Sequence, residues 1–191
     1  GGLHQAWLVR LVVGFLAGLG IHALTQENWR EQFQQWNTQP RLCQMLYAAA
    51  AVMTLMLLWA AALPPWDFDV REYHLQVPKE WYQSGRIEFL PHNVYAQMPL
   101  GAEMQPLLAM TLVGGSDGWW AGALAGKVLM AVFVPLTAAL IACAASRWFS
   151  PVAGAVGALV YLGLPGLSHT AVHGLNEPAV AAFGFFAFYC A

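Results

Sequence analysis

The densest cluster of side chains able to do chemistry is Asp67-Phe68-Asp69-Val70-Arg71-Glu72-Tyr73-His74, directly after an apolar run that ends at Pro64-Pro65. Carboxylates at the mouth of a membrane helix are costly unless they are paired or have a task. On a functional reading, one of them is a general base placed where a lipid-linked substrate meets water. On a structural reading, Asp69 is a helix N-cap and Glu72, three residues on, completes a capping box. The two readings are compatible, since a cap holds a carboxylate still. Asp67 and Asp69 also form an Asp-x-Asp pair of the kind that holds a divalent metal in soluble sugar-nucleotide transferases. Here the pair follows an apolar run instead of a strand, which weakens a metal reading.

Further along, Lys127 lies about two turns inside an apolar run. It is placed either to snorkel to the surface or to meet a lipid phosphate from within a bundle. Glu103 is a carboxylate on an apolar segment and needs a partner, for which Arg71 and Arg86 are the candidates. Glu177 opens the last apolar run, as a helix cap or a second functional acid. His92 and Asn93 lie in a turn before an aromatic residue, and Asn93 is a candidate substrate contact. His169 and His173, four apart, have metal-compatible spacing on a helix but no third ligand in sequence.

These residues need elements to hold them, and composition says which. Of 191 residues, 59% are hydrophobic and only 9% charged, with mean hydropathy +0.51. A soluble domain carries about 25% charged residues, so lipid is the expected solvent for much of this surface. A net charge of −2 offers no basic footprint for nucleic acid. The three cysteines, Cys43, Cys143 and Cys190, are too scattered for a disulfide framework.

The pattern predicts an all-α integral membrane protein, a multi-span helical bundle with a long external first loop that carries surface-lying helices. A first apolar stretch runs from residue 3 to 24, broken by Arg10. A polar segment, 25 to 44, with Trp29, Phe33 and Trp36, suits the membrane interface. Residues 45 to 63 are 19 in a row without a charge, reaching about 28 Å. The external loop, 64 to 118, holds five acidic and three basic residues between 66 and 98. Within it Tyr73, Val77 and Trp81 form a helical stripe that Ser84-Gly85 stops. Residues 99 to 115 read as a shallow or re-entrant helix, too short to cross. The run from 119 to 145 reads as a span kinked at Pro135 and opened by the interfacial Trp119-Trp120, and 152 to 167 as another, ended by Pro165-Gly166. Residues 168 to 177 read as a polar connection, and a truncated final span comes after it. The chain therefore divides into an N-terminal span with its interfacial segment (1–44) and a larger transmembrane unit (45–191), and reads as a fragment of a longer protein. Arg30, Arg41 and Arg147 then share the cytoplasmic face.

An acidic residue four before a tyrosine, just after a span, followed by Ser-Gly, resembles the first external loop of the GT-C class of membrane glycosyltransferases. That class includes the protein O-mannosyltransferases and the transferases that add aminoarabinose to lipid A. Asp69, Tyr73 and Ser84-Gly85-Arg86 carry the resemblance. Met98-Pro99-Leu100, the stretch from Gly122 to Leu136 with Lys127, Arg147-Trp148-Phe149, and Gly174-Leu175-Asn176-Glu177-Pro178 extend it over residues 45 to 191. Glu177 replaces the commoner aspartate and Lys127 the commoner arginine. The segments from Asp67 to Leu75, from Pro91 to Tyr95 and from Pro99 to Met104 resemble an uncharacterised bacterial branch.

The resemblance implies an enzyme of the bacterial inner membrane, active on the extracytoplasmic side. Its donor would be a polyprenyl-phosphate-linked sugar, and its acceptor a hydroxyl of protein, lipid or glycan. Asp69 would be the catalytic base. Asp67, Arg71, Tyr73, Arg86, Asn93, Glu103, Lys127 and Glu177 would contact substrate. No resident cofactor or metal ligand set is expected, and any divalent-metal requirement stays open. The alternatives are a transporter or lipid flippase, with Lys127, Glu103 and Glu177 along a polar path, and a structural membrane subunit.

Overall fold

The computed structural model describes residues 6–26, 34 and 36–191, without the side chains of 23 and 24, and every regular element among them is helical. In order these are α1 (Ala6–Gln26), α2 (Arg41–Ala61), a π-helical turn (Val70–His74), α3 (Gln76–Ser84), a 3₁₀ turn (Val94–Gln97) and α4 (Met104–Val113). The long α5 (Gly118–Trp148), α6 (Pro151–Leu162), α7 (Pro165–His173) and α8 (Glu177–Cys190) complete the order. Of the interfacial segment expected at 25 to 44, Trp29, Arg30 and Phe33 lie outside the described residues. Trp36 is described, and its ring packs on Tyr47 of α2 at 5.9 Å.

Two helices, α2 and α5, are long and apolar enough to cross a membrane. The 21 residues of α2 reach about 31 Å, matching the hydrocarbon thickness of roughly 30 Å. α6 and α7 together have the length and apolarity of a third span but meet at a 60° bend. This corrects the single span expected from 152 to 167. The chain breaks at Gly163-Leu164, and Pro165 begins α7, the position where its missing N–H costs nothing. The polar connection expected at 168 to 177 is correspondingly corrected: residues 168–173 are helical, and only Gly174 to Asn176 connect.

Small side chains set the packing. The core between α2, α5, α6 and α7 is mostly alanine, with Ala50, Ala61, Ala131, Ala138, Ala142, Ala158 and Ala171 joined by Leu57, Val134 and Leu162. Such residues let membrane helices approach closely. Gly122 and Gly126 do the same for α4: a Cβ on Gly122 would lie 2.6 Å from the Met110 nitrogen, and one on Gly126 2.8 Å from Pro106 Cβ. α4 therefore lies antiparallel along the first turns of α5. At ten residues it spans about 15 Å, half the hydrocarbon thickness. Arg10 of α1 donates from Nε to the Leu112 carbonyl near its end, at 3.2 Å.

The two ends of the bundle are defined by contacts. At one end Cys43 Sγ, near the start of α2, meets the Pro151 carbonyl at 3.5 Å, so Arg41 and Arg147 share that end. At the other, Trp66 stacks edge-on against His173 at 4.6 Å. The segment from 62 to 117 and the connection at 174–176 thus lie at the same end.

Candidate functional site

Local hydrogen bonds decide which acid is free. Asp67 Oδ1 accepts from the Asp69 nitrogen at 3.0 Å and the Val70 nitrogen at 3.4 Å. The cap is therefore Asp67. Asp69 has helical backbone angles and its side chain caps nothing, which corrects the capping box read from Asp69 and Glu72. The carboxylate of Asp69 is exposed.

Beyond it the helix widens. Leu75 N–H reaches back five residues to the Val70 carbonyl at 2.9 Å, a π turn of the type that recurs at functional sites. The turn gives the segment two faces. Asp69 and Tyr73 point one way. Arg71, Leu75 and Lys79 line one hollow on the other, roughly half a turn from Asp69.

On the acidic face, Tyr73 stacks on Tyr95 at 4.8 Å and packs on His74 at 4.1 Å. Burial raises the Tyr73 hydroxyl above its ordinary value, and the neighbouring carboxylates of Asp69, Glu177 and Glu103 push in the same direction. Three acids from three elements thus act electrostatically on one phenol. Glu177 is exposed in the first turn of α8, where the helix dipole favours a carboxylate. Glu103 is buried, 1% exposed, and its Oε1 bonds His74 Nδ1 at 2.6 Å. The partner expected for Glu103 was Arg71 or Arg86; it is His74. Among the described residues Glu103 Oε2 has no hydrogen-bond partner.

Lys127 does not snorkel. It is 1% exposed, and Nζ donates to the Leu63 carbonyl at 2.7 Å, just past the end of α2. Gly174, in the left-handed region at φ 83°, covers it, and a Cβ there would sit 2.8 Å from Lys127 Cγ. Lys127 is thereby committed to joining α2, α5 and the α7–α8 turn, and His173 lies within electrostatic reach of both Lys127 and Asp67. His169 and His173 pack at a tilt, ring centroids 4.4 Å apart, and no cluster of three metal-ligating side chains occurs among the described residues.

Asn93 fastens the loop instead of facing a ligand. Its Nδ2 donates to the Glu72 carbonyl at 2.9 Å and its Oδ1 accepts from the Tyr95 nitrogen at 3.1 Å. Arg86 is exposed and ion-paired with Glu88 at 2.6 Å. Arg71 borders two hollows. One, of about 430 Å³, is lined by Pro65, Leu75, Gln76, Lys79, Trp119 and Trp120 among others. The other, of about 280 Å³, is lined by Trp66, Phe68 and Glu72.

Asp69, Tyr73, Glu103 and Glu177 thus come together, Lys127 lies beneath as a structural tie, Asp67 caps, and Arg86 and Asn93 are engaged elsewhere. Sequence reasoning missed His74 and Lys79. Lys79 was legible, two turns after Arg71 on one helix face. His74 was not, because the π turn shifts the helical period on which a face assignment relies. No protein-family model, no curated protein and no solved structure matches the chain.

Proposed function

We propose that the chain is part of a GT-C-like membrane glycosyltransferase of the bacterial inner membrane, with a many-span bundle and an extracytoplasmic site. It transfers a sugar from a polyprenyl-phosphate donor to an acceptor hydroxyl. The observation that carries the reading is the exposed Asp69 carboxylate, unused by its helix cap and beside Tyr73, Glu177 and Glu103 where a span emerges.

In this reading Asp69 accepts the proton of the acceptor hydroxyl as its oxygen attacks the anomeric carbon from the face opposite the phosphate. The bond from that carbon to the phosphate oxygen breaks, the electron pair leaves with the polyprenyl phosphate, and the configuration inverts. The departing anion needs positive charge nearby. Lys127, whose ammonium is bound to the Leu63 carbonyl, would supply it by exchanging that bond for the phosphate. Glu177 orients the acceptor.

A transporter has weaker support. The hollow of about 470 Å³ between α2, α5 and α6 is walled by alanines with Tyr47, Thr54, Pro135 and Ser146, while Lys127 and Glu103 are packed against partners. The test is incorporation of the protein into liposomes with a panel of radiolabelled polyprenyl-phosphate sugars and hydroxyl acceptors. Label moving from one donor to an acceptor supports the reading. Folded protein that transfers none of the panel overturns it.

A further inference from the structure

We infer that the Arg71–Lys79 hollow binds the phosphate head group of an anionic phospholipid of the surrounding bilayer, separately from the acidic face that carries Asp69. Four observations lead there. The hollow, about 430 Å³, presents two cations and Gln76 above an apolar floor of Leu75, Ala123 and Pro65. Among the described residues neither Arg71 nor Lys79 takes part in an ion pair, so their charge is available to an anion.

Depth is the third observation. Trp119 and Trp120 open the span α5, the level at which indoles mark the head-group layer. Lys79 Nζ lies 4.1 Å above the Trp119 ring, a cation–π contact that holds the ammonium at that level. Fourth, exposed rings lie beside it: Trp66 and Phe68 are each 71% exposed and wall the second hollow that Arg71 borders. A phosphate bridging Arg71 and Lys79 would leave its acyl chains against these open rings.

The ligand chemistry, a phosphate ester on an apolar tail, is shared by a glycerophospholipid and an isoprenoid carrier. The faces separate them. Arg71 and Lys79 line this hollow, and Asp69, Tyr73, Glu103 and Glu177 do not, so a phosphate seated here sits apart from the acid cluster. An inorganic phosphate would use the two cations but none of the aromatic surface.

Native mass spectrometry of the purified protein, with phosphatidylglycerol, phosphatidylcholine, decaprenyl phosphate or inorganic phosphate added in turn, tests this. Phosphatidylglycerol should be retained about tenfold over phosphatidylcholine, with the preference screened at high salt. Decaprenyl phosphate at equal concentration should not displace it, and nor should millimolar inorganic phosphate. The Arg71→Gln/Lys79→Gln variant should lose that preference, while Arg86→Gln, removing a paired cation outside the hollow, should keep it. Equal retention of the two phospholipids by the unaltered protein overturns the inference, whether or not the double variant folds. Displacement by decaprenyl phosphate assigns the hollow to a carrier and overturns it too, as does displacement by inorganic phosphate. The readout involves no sugar transfer, so it is independent of the proposed activity.

Discussion

Asp67 and Asp69 are two residues apart, chemically identical and both near water, yet their hydrogen bonds give them opposite expected phenotypes. Asp67 Oδ1 accepts two backbone N–H groups. Asp67→Ala orphans both, and loss of such a cap costs about 1 kcal/mol, equivalent to a fall of roughly 2–4 °C in melting temperature for a chain of this size. Asp67→Asn keeps the acceptor and should be close to silent. Asp69 caps nothing, so Asp69→Asn should change stability by less than about 0.5 kcal/mol. Its effect falls on chemistry: loss of a general base lowers turnover by about 10²–10⁴, or about 3–5 kcal/mol of barrier at 1.36 kcal/mol per decade. The assay pairs thermal unfolding in detergent with initial rates of transfer from the polyprenyl-phosphate donor for all three variants. The reasoning is refuted if Asp69→Asn transfers sugar at the original rate. A melting-temperature loss in Asp69→Asn matching that of Asp67→Ala would refute the division of roles.

Four further outcomes are expected. Gly122→Ala places a methyl 2.6 Å from the Met110 backbone nitrogen and should cost about 1–3 kcal/mol as overpacking. Gly184→Ala, which lies inside α8 and meets nothing within 4 Å, should cost nothing in the same unfolding measurement and stabilise by up to about 1 kcal/mol. Single cysteines at Ser84 and Asn176, in a background lacking Cys43, Cys143 and Cys190, should label from the same side of intact vesicles; labelling from opposite sides would mean that α4 crosses. Finally, the Tyr73 phenol is held above its ordinary value. The folded protein therefore keeps a proton that the unfolded chain releases near pH 10, and stability falls as pH rises beyond that point. Tyr73→Phe should lose less stability than the unaltered protein in that alkaline range, and its absorbance titration should lack one late-ionising tyrosinate.

Much of the architecture was legible because it depends on runs and punctuation. The charge-free run from 45 to 63 gave α2 its span, and Pro64-Pro65 gave its end. Gly85 stops α3 in the left-handed conformation, φ 72°, as Ser84-Gly85 implied, and Ser150 caps α6 by accepting from the Ala153 nitrogen at 3.1 Å. The stripe of Tyr73, Val77 and Trp81 is real, with Val77 and Trp81 buried. The site was harder to read, because its geometry depends on single hydrogen bonds. A cap at Asp69 and one at Asp67 fit the same residues, and only the Asp67 side chain's bend toward two amides separates them. The partner of Glu103 is 29 positions away at His74, and no pattern distinguishes that ring from two better-charged arginines. The break before Pro165 was misread because a proline signals both the stop of one helix and the start of another.

The widened turn at residues 70–74 also makes the length of this segment part of its meaning. It accommodates one residue more than an ordinary helix would, so deleting a single position there would let the backbone close into a regular α-helix while α3 keeps its face. A deletion inside the regular turns of α3 would instead rotate everything beyond it by about 100° and swing Trp81 out of its pocket. Homologous chains shorter by one position at 70–74 would therefore be expected to keep Val77, Lys79 and Trp81 on their present faces, whereas chains shorter by one within α3 would have rebuilt the segment up to Gly85.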